Sequence, residues 1–327
     1  MKILIFISWP VKAWSIPDAQ VDVLRERFPD IEFVHARTLD AARELVLDVD
    51  AAFTPFMSAE MVESARRLKW VHSSAAAVEG LLPLATLAER RITISNSRGI
   101  QGVPMAESVM GGLLVLARKY DRTLAAQREH CWIQNDLVDD MPWLLDGKRM
   151  TIVGLGSIGI EIAKRANAFG MTVTGVRRNP DKEMPPCVER VFGSDRLDEA
   201  LDDCDILVLA APGVAATTGM IGPAQLARLN PGAVIVNVAR AALVDQKALI
   251  EGLTSGRLGG AVLDVFEKEP LDASSPLWSM PNVVLTPHSS GFRSTHWRDT
   301  IALYVDNLTR YRSGQPLRHL VDPVAGY

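Results

Sequence analysis

The chain has 327 residues, of which 48% are hydrophobic and 23% charged, a composition typical of a globular protein with about two domains. The formal net charge of -4 offers no basic field for nucleic acid or an anionic membrane, so we expect no partner of either kind. The three cysteines form no CxxC pair, no pattern indicates a metal site, and a reducing cytoplasm is the expected location. The apolar start is predicted to be a buried strand rather than a signal peptide, and no segment reaches the ~20 apolar residues that span a bilayer.

The N-terminal third alternates short apolar runs with amphipathic stretches. Strands are predicted at 3–7, 31–34, 51–53, 70–72 and 92–95, and helices at 18–28, 40–46 and 59–68. This alternation is typical of βαβ units around a parallel sheet. We find no glycine-rich phosphate loop in this third of the sequence.

A long, largely apolar helix is predicted at 104–120, and an irregular arm or connection at 121–148. A second alternating series then begins. Its strands are predicted at 150–153, 172–176, 206–210, 233–237, 260–264 and 283–285, and its helices at 158–168, 197–201, 223–229 and 246–256. A last helix at 298–313 should return to the first domain. The pattern predicts an α/β protein with two doubly wound domains.

One segment matches the pattern GxGxxG, with Gly154, Gly156, Ser157, Ile158 and Gly159. A predicted strand precedes it and a helix follows it, which is the context in which this pattern binds dinucleotides. The glycines permit a tight turn, close approach of a pyrophosphate, and close packing of helix on strand. The helix N-terminus supplies N–H groups and partial positive charge for the phosphates. The alternative is a generic strand-to-helix turn.

An arginine stands where an acidic residue usually holds the cofactor ribose. NAD enzymes carry Asp or Glu about 20 residues after the first glycine, and Arg177 occupies that region here, followed by Arg178. Arginine cannot accept from a 2′-hydroxyl, but it can pair with a 2′-phosphate. We therefore expect NADP(H) in preference to NAD(H), and the alternative is two solvated arginines on a loop.

Three polar residues follow predicted strands in the second series: Arg240, Glu269 and His288. Open α/β sheets bind ligands at the carboxyl ends of their strands. Reduction of a 2-keto acid needs a cation for the carboxylate and carbonyl, which suits Arg240. It also needs an acid for the carbonyl oxygen, which suits His288. Glu269 could accept a hydrogen bond from His288 and favour the imidazolium form. Each residue alone has an ordinary structural explanation, but the ordered set behind a dinucleotide loop favours catalysis.

In their order and context these segments resemble the D-isomer-specific 2-hydroxyacid dehydrogenase family, which includes glyoxylate/hydroxypyruvate reductases and phosphoglycerate dehydrogenases. The resemblance is densest from 147 to 291. It implies a Rossmann-type cofactor domain at 99–291, a flavodoxin-like substrate domain at 1–98 and 292–327, an active site between them, and a homodimer built through the cofactor domain. It implies hydride transfer between a nicotinamide cofactor, which the two arginines lead us to expect is NADP(H), and a small 2-keto or 2-hydroxy acid, such as glyoxylate, hydroxypyruvate or pyruvate.

The family's catalytic residues correspond to Arg240, Glu269 and His288. Further site residues implied by the resemblance are Pro212, Thr217, Val238 and Asp264 for the cofactor, and Ala76 and Ala77 for the substrate carboxylate. In the family the Asp holds the nicotinamide carboxamide. The carboxylate loop at 75–79 departs from the family pattern, since Ala77 replaces the usual Gly and Glu79 the usual Asp.

The sequence is also compatible with two other functions. C-terminal-binding corepressors resemble the family and bind nucleotides, and phosphite dehydrogenases keep the same three catalytic residue types. Formate dehydrogenases are disfavoured because they have Gln where this chain has Glu269. The pattern does not decide whether Phe53, Phe56 and Trp297 shape a substrate pocket or pack in a core.

Overall fold

The strands of the first sheet all run parallel, in the order β2-β1-β3-β4-β5. The computed structural model describes residues 1–324 and 326, and it divides into unit 1, Met1–Ile100 with the segment from Arg293 onward, and unit 2, Gln101–Phe292. The strands of unit 1 are β1 (Lys2–Ile5), β2 (Glu32–His35), β3 (Ala51–Phe53), β4 (Trp70–Ser73) and β5 (Thr93–Asn96). The chain leaves β1 for β2 on one side and returns to β3 on the other, so a crevice is expected at the carboxyl ends of β1 and β3.

Unit 2 is built on a sheet of seven parallel strands, in the order β12-β11-β10-β9-β6-β7-β8. These strands are β6 (Arg149–Val153), β7 (Thr172–Val176), β8 (Arg190–Phe192), β9 (Ile206–Leu209), β10 (Ala233–Asn237), β11 (Leu258–Leu263) and β12 (Val283–Leu285). All residues of β9 and β10 are buried, as expected for parallel strands covered on both faces. The strand order reverses between β6 and β9, which is where such sheets bind nucleotides.

Each sheet contributes alternate side chains to two hydrophobic cores. On β10, Val234 and Val236 belong to one core and Ile235 to the other. On β1, Leu4 belongs to one core, while Ile3 and Ile5 belong to the second. Because successive residues of a strand point to opposite faces, each apolar run builds the cores above and below its sheet.

Helices cover these faces. They are α1 (Asp18–Arg27), α2 (Leu39–Leu45), α3 (Ala59–Ser64), α4 (Leu84–Glu89), α5 (Gly102–Arg118), α6 (Tyr120–Arg128), α7 (Ser157–Ala168), α8 (Leu197–Leu201), α9 (Pro223–Arg228), α10 (Gln246–Thr254) and α11 (His296–Arg312). Side-chain caps mark several helix starts: Thr38 accepts from the N–H of Ala41, and Asp245 from that of Ala248. α11 belongs to unit 1.

The structure confirms the α/β class with two parallel sheets and corrects several details of the prediction. The segment 121–148 is not irregular throughout, because α6 occupies its first turns. A left-handed residue, Lys119 with φ of 56°, ends α5 and starts α6. The large apolar residues of α6, Tyr120 and Leu124, are exposed, so the helix lacks the buried stripe by which a helix is recognised in sequence. Helix α3 is shorter than predicted because its C-cap, Ala65, is extended. Neither α4 nor β8 was predicted.

Among the described residues, no helix is both long and apolar enough to cross a bilayer.

Candidate active site

The predicted site residues of unit 2 follow strands that run in one direction, so they lie at one edge of its sheet. The glycine loop follows β6, Arg177 follows β7, and Pro212 follows β9. Arg240 follows β10 and Asp264 follows β11 directly. β12 leads into the segment that carries His288. Parallel pairing thus brings segments that are distant in sequence to the carboxyl edge, where ligands of open α/β sheets bind.

The glycine loop has the shape that a dinucleotide cradle requires. Gly154 has a φ of 105°, and a Cβ there would lie 2.5 Å from the backbone nitrogen of Ala211. A Cβ on Gly159 would collide with the carbonyl oxygen of Gly154, so a side chain at either position would break the turn. Gly156 faces open space and precedes α7, whose N-terminal N–H groups have no partner within the helix. The residues present therefore fit a bound pyrophosphate.

Arg177 has a role within its own loop that the sequence did not indicate. Its Nη2 donates to the carbonyl oxygens of Pro180 and Glu183, each at 3.2 Å, and to that of Lys182. Its Nε is buried without a hydrogen-bond partner. The guanidinium therefore shapes the loop after β7, and the exposed Arg178 stands at the start of that loop.

Pro212 and Thr217 belong to a single turn after β9. The Thr217 hydroxyl donates to the carbonyl oxygen of Pro212 at 2.6 Å and accepts from the N–H of Val214 at 3.0 Å. Val238 is buried directly after β10, and its N–H donates to the carbonyl oxygen of Leu209. These three predicted cofactor residues therefore lie on the loops that follow two neighbouring central strands, β9 and β10.

Arg240 is exposed, on a loop shaped by the buried Asn237. The Asn237 side chain donates to the carbonyl oxygen of Arg240 at 2.9 Å and accepts from the N–H of Ala239 at 3.1 Å. The Arg240 Nη1 donates to the carbonyl oxygen of Ala239 at 2.7 Å. The other N–H groups of this guanidinium have no acceptor among the described residues. They are available for a carboxylate or carbonyl oxygen.

Glu269 and His288 form a direct pair. The Nδ1 of His288 lies 2.7 Å from Oε2 of Glu269, while Oε1 accepts from the N–H of Phe266 at 3.0 Å. Burial disfavours the ionised form of Glu269, but the hydrogen bonds from His288 and Phe266 and the charge of Arg240 outweigh it, so the pKa of this carboxyl is lowered. An ionised Glu269 can only accept, so Nδ1 carries the proton of this hydrogen bond.

Asp264 fixes the loop that carries His288. Its buried carboxylate accepts from the Thr286 hydroxyl at 2.5 Å and from the N–H of Ser289 at 2.8 Å. It also accepts from the N–H and the hydroxyl of Ser290. These donors surround His288, which holds a left-handed φ of 52°. Asp264 therefore sets the backbone conformation from which the imidazole projects.

The predicted carboxylate loop lies in unit 1, after β4. The Asn96 side chain donates to the carbonyl oxygen of Ala76, and the N–H of Ser97 donates to that of Ala75. The N–H groups of Ala76 and Ala77 have no acceptor among the described residues. Ala77 does not have a positive φ, so its backbone conformation accommodates a side chain without strain. The replacement of glycine is thus compatible with a loop that presents two N–H groups.

Sequence reasoning missed the residues that hold these loops. Asn237, Thr286 and Ser290 act through hydrogen bonds to atoms that no spacing rule identifies. A polar residue at the end of an otherwise apolar strand, as Asn237 is, was the one available signal. In unit 1, Phe53 is fully buried and stacks on Tyr304, and the Trp297 Nε1 donates to the carbonyl oxygen of Ala13.

Comparison with known proteins gives consistent matches. Residues 110–290 match the NAD binding domain of the D-isomer specific 2-hydroxyacid dehydrogenases. The glyoxylate reductase of Pyrococcus furiosus is 32% identical, and the alignment covers 92% of this chain and 91% of that protein. The D-3-phosphoglycerate dehydrogenase of Archaeoglobus fulgidus is 27% identical over 98% of this chain, which spans 59% of that protein's length. The structure of an NADPH-dependent glyoxylate/hydroxypyruvate reductase from Sinorhizobium meliloti, in complex with NADP and sulfate, matches with a TM-score of 0.80 at 28% identity, covering 100% of this chain and 99% of that one.

The family match spans more than half of the chain, and it contains the glycine loop and the loops that carry Arg240, Glu269 and His288. The Pyrococcus relative extends the similarity into unit 1. This confirms the resemblance seen in the sequence: the chain belongs to the D-isomer specific 2-hydroxyacid dehydrogenase family of oxidoreductases, and its unit 2 contains the NAD binding domain of that family.

Proposed function

We propose that this protein reduces small 2-keto acids with NADPH and, in the reverse direction, oxidises 2-hydroxy acids with NADP⁺. The observation that carries the proposal is the 2.7 Å contact between His288 and Glu269, at the sheet edge that also bears Arg240 and the glycine loop. The relatives named as glyoxylate or glyoxylate/hydroxypyruvate reductases support the same chemistry.

Each residue has one task in this reaction. The reduced nicotinamide, when bound, supplies the hydride that C2 of the keto acid receives. Arg240 pairs with the substrate carboxylate and polarises the carbonyl through its available N–H groups. His288 gives the proton on Nε2 to the carbonyl oxygen, because Nδ1 is held by Glu269. The negative charge of Glu269 stabilises the protonated ring before the transfer.

The preference for NADPH rests on Arg177 and Arg178. Neither can accept a hydrogen bond from a ribose 2′-hydroxyl, whereas both carry the charge that a 2′-phosphate requires. Arg177 already donates to the carbonyl oxygens of its own loop, so we assign it two roles. It holds the conformation of this loop, and its charge contributes to the positive potential that attracts the 2′-phosphate. Arg178 is assigned the direct contact with the phosphate. The named NADPH dependence of the Sinorhizobium relative supports this assignment.

The first test is turnover on a panel of 2-keto acids with each cofactor. Consumption of NADPH at 340 nm should depend on the keto acid, and kcat/KM for NADPH should exceed that for NADH by about tenfold or more, since hydrogen bonds to a charged group contribute about 1.5–3 kcal/mol. Nucleotide binding without turnover of any 2-keto acid would contradict the proposed enzymatic activity and would favour a nucleotide-sensing protein. Preference for NADH would contradict only the cofactor assignment.

The second test addresses the proton donor. His288→Ala should lower kcat by about 10²–10⁴-fold, because general acid catalysis contributes about that much, while the Kd for NADPH stays within twofold. Glu269→Gln should lower kcat less than His288→Ala does, because the amide can still accept the hydrogen bond of Nδ1 but lacks the negative charge of the carboxylate. A kcat for His288→Ala near the wild-type value would remove this residue from the mechanism.

The third test distinguishes the roles of the two arginines. It measures only cofactor binding, by fluorescence titration. Arg178→Gln should raise the Kd for NADPH about 10–100-fold and leave the Kd for NADH nearly unchanged. Arg177→Gln should raise the Kd for both NADPH and NADH, because the loop loses the hydrogen bonds that Arg177 donates to its carbonyl oxygens. Arg190→Gln, at the amino end of β8 and thus at the opposite sheet edge, is the matched control. Equal effects of Arg178→Gln on NADPH and NADH would exclude a phosphate contact.

We further propose that the chain forms a homodimer through its 120–144 segment. Large apolar side chains are exposed here, with Trp132 at 88% exposure and Leu124 and Met141 also exposed. Burial of such a surface by a second copy is favourable. Light scattering after size-exclusion chromatography should give twice the chain mass for the wild-type protein. The triple variant Leu124→Glu, Trp132→Ser, Met141→Glu should give the mass of the monomer. Trp278→Ser, an exposed tryptophan elsewhere in unit 2, should leave the mass unchanged. A monomeric wild type would contradict the proposal.

A further inference from the structure

A small apolar cavity lies at the crevice of the unit 1 sheet. Its volume is about 180 Å³. The side chains that line it follow β1, where Phe6 and Trp9 lie, and β3, where Pro55 and Phe56 lie. The sheet order reverses between these two strands, and open α/β sheets bind ligands at that point. The cavity therefore occupies the position in unit 1 where the topology predicts a ligand.

The lining of this cavity selects for an apolar group. Leu39 and Leu81 complete its walls, and Ser8 is the one polar residue among those that line it. A charged ligand group would find no partner of opposite charge in this lining, whereas an apolar group would bury its surface against it. The charged residues nearby, including Lys12 and Arg37, line a different cleft. Since an apolar cavity of about 150 Å³ is large enough to bind benzene, this one has room for a branched or aromatic group of several carbons.

One hydrogen bond joins the cavity wall to the carboxylate loop, and a second joins this wall to the segment that follows β3. The N–H of Leu81 donates to the carbonyl oxygen of Val78 at 3.1 Å, and the N–H of Met57 donates to that of Leu81 at 3.2 Å. The loop follows β4 and the cavity lies at β3 and β1, so one to two strand spacings, about 5–10 Å, separate them. Since a C–C bond is about 1.5 Å long, an acid held by the N–H groups of Ala76 and Ala77 reaches the cavity with roughly four to six further carbons.

We propose that this cavity binds the side chain of the substrate, and that the preferred substrates are 2-keto acids with a branched aliphatic or aromatic side chain. The inference rests on the proposed function, because it assumes a 2-keto acid whose carboxylate binds the 75–79 loop. It makes Phe56, Leu81 and Trp9 specificity-determining residues. Each buried CH₂ group should raise kcat/KM about fourfold.

The test compares kcat/KM of the full-length protein with NADPH for glyoxylate, hydroxypyruvate, pyruvate, 2-oxobutanoate, 2-oxopentanoate, 4-methyl-2-oxopentanoate and phenylpyruvate. The values should rise along the aliphatic series, with 4-methyl-2-oxopentanoate or phenylpyruvate exceeding pyruvate at least tenfold. A preference for glyoxylate or hydroxypyruvate would overturn the pocket assignment and leave the reductase itself intact. Absence of turnover on every acid would overturn both.

Variants then locate the selectivity in the cavity. Leu81→Trp fills it and should lower the ratio of kcat/KM for 4-methyl-2-oxopentanoate over pyruvate at least tenfold. Trp9→Ala removes a partly exposed wall without disturbing a core and should lower the same ratio about fourfold or more. Leu47→Trp, an exposed leucine of unit 1 outside the lining, should leave the ratio within twofold. Circular dichroism and Tm verify that each variant folds. An unchanged ratio in a folded Leu81→Trp and in Trp9→Ala would overturn the assignment.

Discussion

Parallel strand direction is the constraint on which the candidate site depends. Because the strands of each sheet run the same way, all their carboxyl ends lie at one edge, and the chain must return past the sheet before each new strand. Glu269 and His288 are 19 positions apart in sequence, yet their side chains lie 2.7 Å apart. The same constraint delivers the glycine loop, the turn at Pro212 and the loop of Arg240 to this edge. The site is therefore assembled by topology, and each loop only has to orient its own side chain.

Two carboxylates at this edge do different work because their surroundings differ. Asp264 is buried and accepts from four donor groups, which belong to Thr286, Ser289 and Ser290. A buried carboxylate needs such donors, so they tie the loop in one conformation. Glu269 is more exposed and keeps one oxygen for the ring of His288. One acid thus holds the backbone of the histidine loop, and the other holds the imidazole.

The sequence allows prediction of those features that depend on local pattern. Most central strands, the glycine loop and the three catalytic candidates follow from apolar runs, from φ requirements at glycine and from residue chemistry. Helix α6 could not be predicted, because its apolar residues Tyr120 and Leu124 face outward and leave no buried stripe. The role of Arg177 in its own loop depends on carbonyl oxygens that carry no residue signature. The same holds for Asn237, which binds the backbone of the Arg240 loop.

The distribution of residue types between the two units has a chemical reason. Every 2-keto acid presents the same carboxylate and carbonyl, so the groups that bind and protonate them need no variation from one substrate to another. The charged groups to which we assign these tasks, Arg240, Glu269 and His288, all follow strands of unit 2. Substrates of the class differ only in the side chain at C2, whose recognition requires shape and apolar surface rather than charge. Unit 1 provides open backbone N–H groups at Ala76 and Ala77 and an apolar cavity one to two strand spacings away. Under the proposed mechanism, substitutions that line this cavity should change substrate choice without altering a reacting group, whereas substitutions of Arg240, Glu269 or His288 should change the rate for every substrate.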